Sequence, residues 1–241
     1  MDALEHVWLG RLPYRDAWAL QRRLAAARAA DAIGDVLLLL EHPPVYTMGR
    51  GGSAEHVPGG SARLVELGAE YVDVDRGGSV TFHGPGQLVA YPILKLASVF
   101  PLRADPGLGD VLAHLRALEE ALIVTVAGHG VLGARRPPYT GVWVGEEKLA
   151  AIGVKLAGGV TTHGAALNVT TDLDWFGEVV PCGISGAGVT SLGALGVSPA
   201  PGLEELGVAL AEALAAVTGR ASVPVGDATR ALLGAAAAAA A

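Results

Sequence analysis

The sequence predicts a single domain that combines helices with a largely antiparallel sheet. A chain of 241 residues fits one large domain, and a composition of 51% apolar and 17% charged residues excludes a disordered chain. Predicted strands outnumber predicted helices. Many of these strands are separated by turns too short for a crossover helix, which favours antiparallel pairing over a doubly wound sheet.

In the first part of the chain, short apolar runs alternate with turn residues. The expected elements are a strand at Glu5–Leu9, a helix from Tyr14 to about Ala30, strands at Val36–Glu41 and Val45–Met48, a short helix at Ser61–Leu67, and strands at Tyr71–Asp75 and Val80–His83. The long helix follows Pro13 and repeats apolar residues at helical spacing, whereas Val36–Leu40 is a continuous apolar run typical of a buried strand. For the short helix, Ser61 is the candidate N-cap and Gly68 lies just past the end.

The second part continues this pattern without an internal repeat or a linker. The expected elements are a strand at Leu88–Leu96, a helix at Leu108–Val126, a hairpin of Val142–Val144 and Leu149–Leu156, a strand at Ala166–Val169 and an amphipathic helix at Leu203–Val217. We therefore assign residues 1–220 to one domain and residues 221–241 to a C-terminal tail. That tail ends in a run of alanines, Ala235–Ala241.

Charge and cysteine content exclude several classes of protein. A net charge of −7 argues against a nucleic-acid-binding protein, which would carry a basic stripe. Val36–Leu40 is far shorter than the ~20 apolar residues that span a bilayer, and the acidic start does not resemble a secretion signal. The single cysteine, Cys182, rules out an intrachain disulfide and fits a reducing compartment. We expect a cytoplasmic protein that binds neither membranes nor nucleic acid.

Two familiar types of cofactor site are not supported. The segment Gly128–Gly133 reads G-x-G-x-x-G, but it follows a predicted helix instead of a strand, so it indicates a helix C-terminal turn. None of the seven histidines is paired at i, i+4 spacing, and one cysteine cannot build a thiolate-rich metal site. The sequence therefore predicts no metal and no bound cofactor.

A glycine-rich stretch, Arg76–Gln87, is a candidate for ligand binding. Backbone at Gly77 and Gly78 could approach a ligand closely, and Arg76 could bind an anion or a carbonyl. His83, within this stretch, and His163 each precede a glycine beside a predicted strand end, so either could line a cleft. For each histidine taken alone, a structural role is favoured over a catalytic one.

Cys182 lies between a proline and a glycine, in a turn where a thiol can be reactive. A nucleophilic thiol needs its pKa lowered from about 8.5 by a cation, a histidine or a helix N-terminus. Lysines are scarce, and Lys148 and Lys155 lie close together. In a strand, their odd separation of seven residues would place them on opposite faces. At most one of them should point into a cleft. A lysine, His83 and His163 all remain possible partners of Cys182.

Five stretches carry longer and more specific motifs: Leu37–Pro43, Arg76–Pro92, Gly141–Val154, His163–Asn168 and Val180–Gly183. The strings RGG-x-V-T-F-H-G-P-G-Q-L-V-x-Y-P and V-P-C-G-I are the most distinctive. In order and approximate spacing, these stretches resemble the octanoyltransferases of lipoate biosynthesis, also called lipoyl(octanoyl) transferases. The resemblance implies an α+β fold, a single domain with a mixed, largely antiparallel sheet flanked by helices, shared with biotin and lipoate protein ligases.

The resemblance also implies a reaction. An octanoyl group would move from octanoyl-acyl carrier protein to Cys182, the nucleophile that carries the acyl thioester. It would then move to the ε-amine of a lysine on a lipoyl domain of the 2-oxoacid dehydrogenase complexes or the glycine cleavage H protein. Lys148 matches the family's catalytic lysine, which lowers the pKa of the cysteine and acts as acid and base, whereas Lys155 would be structural. We expect a monomer that needs no ATP. The rival functions are an ATP-dependent ligase of the same fold and a non-catalytic carrier-binding module.

By the same resemblance, three segments would contact the substrate. They comprise Arg76, Gly77, Gly78, Ser79, Val80, Thr81, Phe82 and His83, then Ala151, Ile152 and Gly153, then Gly164, Ala165 and Ala166. Small residues suit an apolar tunnel with backbone walls. Ser79 stands where relatives often have a longer polar residue, and Ala165 where they usually have Leu or Phe. We expect Ala165 to widen the acyl pocket or shift the preferred chain length.

Overall fold

Residues 3–180 and 188–234 are described by the structure, a computed structural model. The strands are β1 (Leu4–Arg11), β2 (Asp35–Glu41), β3 (Val45–Met48), β4 (Glu70–Asp73), β5 (Val80–His83), β6 (Gln87–Ile93), β7 (Ala134–Arg136), β8 (Tyr139–Val144), β9 (Glu147–Ala157), β10 (Val160–Asn168), β11 (Gly188–Val189) and β12 (Ser222–Pro224). The helices are α1 (Tyr14–Ala29), α2 (Gly60–Glu66), α3 (Leu96–Val99), α4 (Val111–Ala127), α5 (Leu203–Val217) and α6 (Asp227–Leu233), with 3-10 turns at Ala54–His56 and Leu173–Glu178.

The strands form two sheets. The larger sheet has the order β12-β1-β2-β6-β10-β9-β8-β7, and β11 adds to β9. Within it, β1 is parallel to β12 and β2, and β11 is parallel to β9, whereas the other neighbours are antiparallel. The smaller sheet has the order β4-β3-β5. This mixed, largely antiparallel arrangement flanked by helices confirms the expected α+β fold.

Helices cover both faces of the larger sheet. In β2, Leu37 and Leu39 pack in a cluster with α4 and α5, whereas Leu38 and Leu40 pack in a second cluster with α1. Successive side chains of a strand point to opposite faces, so a strand covered on both sides is apolar throughout. This explains the continuous apolar run in the sequence.

The sequence-based boundary at residue 220 is corrected by the structure. The segment after it adds β12 in parallel to β1, and the Leu4 N–H donates to the Ala221 carbonyl at 2.8 Å. Leu233 of α6 is buried in the cluster with α1. The domain therefore extends at least to Leu233. The remaining residues of the expected tail, Ala235–Ala241, lie outside the described part of the chain.

Two local expectations have different outcomes. Gly59 is the N-cap of α2 and Ser61 lies inside the helix, so the expected Ser61 cap is wrong. The helix C-terminal turn expected for the G-x-G-x-x-G segment is confirmed, because α4 ends at Ala127, Gly128 is its C-cap and Gly130 has φ +78°. Among the described residues, no helix is both long enough and apolar enough to cross a membrane.

A bulge in β9 changes which way Lys148 points. The pairing shifts by one residue between Val142–Ala150 and Trp143–Lys148, so β9 carries one residue more than β8 at this place. Val142 and Ala150 pack beneath α4 and α5, whereas Lys148 lies against Trp143 on the other face. An extra residue reverses the alternation of a strand. Lys148 and Lys155 therefore share a face, and the expectation of opposite faces is wrong.

Candidate active site

A cavity lies between the β9–β10 hairpin of the larger sheet and β5 of the smaller sheet, and we term it the central cavity. It contains about 470 Å³ of space, part of which is open to solvent. Its lining residues are Tyr14, Arg76, Gly78, Ser79, Val80, Thr81, His83, Tyr91, Ala151, Ile152, Gly153, His163, Gly164, Ala165 and Ala166. Most residues of the three segments singled out in the sequence therefore surround one space.

Two further spaces adjoin the central cavity. A side cavity shares Thr81, Ala151 and Ala166 with it, and a surface groove between β9 and the start of α4 shares Gly78, Ile152 and Gly153. Lys148 lines both the side cavity and the groove. Lys148 therefore lies between the side cavity and the groove that opens to the surface.

The side chain of Lys148 is held by its neighbours in the sheet. It is only 7% exposed, and its Nζ lies 4.8 Å from the centre of the Trp143 ring. An ammonium over an indole face is attracted by the ring quadrupole. On the far side of β9, the Thr190 N–H donates to the Lys148 carbonyl at 3.0 Å and so fixes the backbone.

Cys182 lies outside the described residues, but the chain on both sides of it is anchored. The Val180 N–H donates to the His56 carbonyl at 2.9 Å. Gly188 and Val189 form β11, which pairs Val189 with Lys148. The described chain thus resumes, after Cys182, directly beside the catalytic-lysine candidate.

Arg76 and Ser79 are engaged within the protein. The Arg76 guanidinium donates to the Thr47 carbonyl at 2.7 Å and to the Thr47 hydroxyl at 2.8 Å, which ties the glycine-rich segment to β3. The Ser79 hydroxyl contacts His56 Nδ1 at 2.6 Å. Through these contacts Arg76 holds the cavity wall to β3, and the expectation that it binds an anion or a carbonyl of a ligand stays a prediction.

Two histidines that line the central cavity, His83 and His163, and one that contacts its lining, His42, are buried. Burial lowers the pKa of His42 to about 4 and the pKa of His83 well below its ordinary value. Burial also lowers the pKa of His163, although a hydrogen bond to Asp75 acts in the opposite direction. These rings are therefore neutral near pH 7. Among the described residues that line the three spaces, the positive charges are on Arg76 and Lys148.

Two of the expected substrate-contacting residues lie elsewhere. Phe82 does not line the central cavity and stacks on Trp175, because alternation along β5 turns its neighbours Thr81 and His83 toward the cavity. Gly77 lines the surface groove instead, and its N–H donates to the Val154 carbonyl at 3.0 Å.

Close backbone packing explains two of the small residues. A Cβ at Gly164 would lie 2.1 Å from the Ala90 carbonyl oxygen, and one at Gly153 would lie 2.9 Å from the Gly77 carbonyl oxygen. Real Cβ atoms do not approach backbone so closely. These glycines are therefore required for chains to pack together, and not only to make room for a ligand as the sequence suggested.

Sequence reasoning missed Tyr14 and Tyr91 and left His163 undecided. Tyr14 begins α1 and Tyr91 lies within β6, where each looks like an ordinary core aromatic residue. Both line the central cavity with His163. The histidine-before-glycine pattern was the available signal for His163. In the described part of the chain, no group of three or more His, Cys, Asp or Glu residues could hold a metal ion.

Comparison with known proteins assigns the chain to a family. Residues 13–215 match the lipoyl protein ligase A/B catalytic domain family. An octanoyltransferase of Chloroflexus aggregans is 50% identical over 220 residues, covering 90% of this chain and 96% of that protein. This chain belongs to the octanoyltransferase family. Another octanoyltransferase, from Rubrobacter xylanophilus, is 51% identical over 185 residues, covering 76% of this chain and 79% of that protein.

Solved structures show how widely the fold of this octanoyltransferase family is shared. A lipoate-protein ligase A bound with ATP superposes with a TM-score of 0.70 at 16% identity, covering 96% of this chain and 92% of that one. A biotin protein ligase from Aquifex aeolicus superposes with a TM-score of 0.53 at 13% identity, covering 89% and 70%. Octanoyltransferases are acyltransferases, so one fold serves both acyl transfer and ligation.

Proposed function

We propose that this chain transfers an octanoyl group from octanoyl-acyl carrier protein to a lysine ε-amine on lipoyl domains, through a thioester on Cys182. The acceptors would be the lipoyl domains of 2-oxoacid dehydrogenase complexes and the glycine cleavage H protein. The observation that carries the proposal is the position of Lys148, which lines both the side cavity and the groove and pairs with the strand that follows the Cys182 segment. We expect the enzyme to act in the cytoplasm as a monomer.

In the first step, the Lys148 ammonium favours the thiolate of Cys182 by charge attraction, which lowers the pKa of the thiol. The thiolate attacks the carbonyl carbon of the octanoyl thioester. The bond to the carrier's phosphopantetheine sulfur breaks, and that sulfur takes a proton from Lys148. One thioester replaces another, so the step requires no ATP.

In the second step, the neutral amine of the acceptor lysine attacks the carbonyl carbon of the acyl-enzyme. The amine passes a proton to Lys148, now neutral, and Cys182 leaves as a thiolate. An amide replaces the thioester, and the enzyme returns to its starting state. Trp143 keeps the Lys148 head group in place through both transfers, since the ring and the ammonium face each other across β8 and β9.

Mass spectrometry of the acyl-enzyme tests this proposal. After the protein is mixed with octanoyl-acyl carrier protein, without ATP, we expect an octanoyl adduct on Cys182 that disappears when a lipoyl domain is added. The Cys182→Ala variant should form no adduct and transfer no acyl group. Transfer that depends on ATP and magnesium, or that persists in Cys182→Ala, would contradict the proposal.

Ala165 offers a test of how the pocket wall affects chain length. It lines the central cavity and also packs in the cluster beneath α4 and α5. We expect Ala165→Leu to reduce transfer of C10 and C12 chains relative to C8, and to destabilise the fold by about 1–3 kcal/mol through overpacking. Ala150→Leu is the matched control, because Ala150 shares that cluster without lining the cavity. Identical chain-length profiles for Ala165→Leu and wild type would count against the expectation.

A further inference from the structure

Four aromatic side chains lie together in the lining of the central cavity: Tyr14, His83, Tyr91 and His163. The Tyr14 and His83 rings are stacked with centroids 6.0 Å apart, and the Tyr91 and His163 rings meet edge to face at 6.4 Å. These four line neither the side cavity nor the groove, the two spaces that Lys148 lines. They therefore belong to the part of the lining that is not shared with the spaces around Lys148, and we term them the aromatic floor.

The polar groups of Tyr14 and His163 are committed to partners within the protein. His163 Nε2 lies 2.9 Å from the Asp75 carboxylate, which accepts a hydrogen bond, so this nitrogen carries the proton. His163 Nδ1 then accepts from the Tyr14 hydroxyl at 3.3 Å. The tautomer of His163 thus commits the Tyr14 O–H to a partner within the protein.

Tyr91 and His83 are fixed in the same way. The ring of His42 donates from Nδ1 to the Leu12 carbonyl at 2.6 Å, so its Nε2 accepts from the Tyr91 hydroxyl at 2.8 Å. The Gln87 amide donates to the Phe82 carbonyl at 3.2 Å, so its oxygen accepts from His83 Nδ1 at 2.8 Å. Both tyrosine hydroxyls and the His83 N–H are therefore occupied.

The floor is also held rigidly from behind. His163 has φ +57°, a left-handed conformation that residues other than glycine adopt rarely, and its N–H donates to the Gln21 side chain at 2.7 Å. Trp18 packs against both Tyr14 and His163, with ring centroids 6.3 and 6.0 Å away. Movement of the floor would break several of these contacts together.

We propose that the aromatic floor limits the length of the acyl chain, with Tyr14 and His163 as specificity-determining residues. This rests on the proposed function, in which the central cavity takes the acyl chain with its carbonyl toward Lys148. The terminal methyl of the preferred chain would contact the carbon faces of the rings. Each additional buried methylene strengthens binding about fourfold, so an open-ended tunnel would favour C10 over C8 by about 15-fold. A rigid floor removes that gain.

The test compares C6, C8, C10 and C12 acyl carriers with wild type and with Tyr14→Leu, which shortens one wall of the floor. We expect the C10-to-C8 ratio of kcat/KM to rise at least tenfold in Tyr14→Leu. Tyr14→Phe, which retains the ring, should keep the wild-type ratio. Tyr71→Leu is the matched control, because Tyr71 lies on β4 and lines none of the three spaces.

His163→Asn is the second variant, in case Tyr14→Leu does not fold. Asparagine tolerates the left-handed conformation and is smaller than histidine, so it should also raise the C10-to-C8 ratio. An unchanged ratio in every folded variant of the two residues would overturn the proposal.

Calorimetric binding of free octanoate and decanoate provides a readout that does not need transfer. Wild type and Tyr14→Phe should bind decanoate no more tightly than octanoate, whereas folded Tyr14→Leu or His163→Asn should bind decanoate more tightly. If wild type transfers no acyl chain but shows this binding pattern, the proposed function fails and the floor stands. Suppose instead that transfer proceeds, but that the variants change neither the C10-to-C8 ratio of kcat/KM nor the relative affinity for decanoate and octanoate. The proposal for the aromatic floor is then wrong and the proposed function stands.

Discussion

Replacing Lys148 with methionine is expected to lower kcat/KM for octanoyl transfer by a factor of about 10²–10⁴, the usual contribution of a positioned acid–base group. Methionine is similar in length and can rest on the Trp143 ring, so the packing in this part of the sheet is retained. The variant loses both the charge that favours the Cys182 thiolate and the group that exchanges protons with the substrates. Steady-state rates with saturating lipoyl domain measure the effect.

Lys148→Arg separates these two roles. Arginine remains protonated in proteins, so it can hold a thiolate but cannot take up the proton of the incoming amine. We expect Cys182 still to be acylated from the carrier, because the phosphopantetheine sulfur can leave as a thiolate and take its proton from water. The acyl-enzyme should then accumulate when a lipoyl domain is present. A time course by mass spectrometry measures the accumulation. If the thioester formed and decayed as in wild type, Lys148 would not be the proton acceptor.

Lys155→Met is the matched control for both variants. Lys155 lies on the same strand and the same face as Lys148, but its ammonium pairs with the Asp75 carboxylate. We expect its loss to change kcat/KM by less than about tenfold, since the structural role leaves the proton transfers intact. A larger loss in Lys155→Met than in Lys148→Met would reverse the roles that we assign to the two lysines.

Sequence patterns predict strands and helices best where burial alone determines the structure. β2 was found from its continuous apolar run because helices cover both of its faces. The bounds of α5 were predicted correctly because one amphipathic face packs on the larger sheet. By contrast, β12 has three residues and ends at Pro224, a pattern too short to distinguish from a loop, so the domain boundary was placed too early.

At the candidate site too, sequence patterns locate segments better than they locate side chains. Motifs identified the segments around the central cavity, but the direction of a side chain depends on exact strand geometry. One extra residue in β9 turned Lys148 to the face that it shares with Lys155, and a bulge of this kind leaves no clear mark in composition. Tyr14 lies 149 residues before His163, its hydrogen-bond partner, so only the folded chain reveals that they form one wall.

Replacing Asp35 with alanine is expected to destabilise the fold by about 3–5 kcal/mol, because it leaves buried positive charges without a partner. The Asp35 side chain is 4% exposed and accepts hydrogen bonds from Arg28 Nε at 2.6 Å and from Arg220 Nη1 at 2.7 Å. The two arginine side chains are only 8% and 5% exposed. Thermal unfolding should show a midpoint roughly 10 °C below that of wild type.

Asp31→Asn is the matched control, since Asp31 pairs with the same Arg28 and asparagine tolerates its left-handed φ of 56°. Its side chain is 63% exposed and also contacts Lys95, so water screens both ion pairs. We expect a loss of about 0–1 kcal/mol. Asp35 thus joins α1 to Arg220, which follows α5 and precedes β12. Equal losses of stability in Asp35→Ala and Asp31→Asn would show that burial does not determine the strength of these ion pairs.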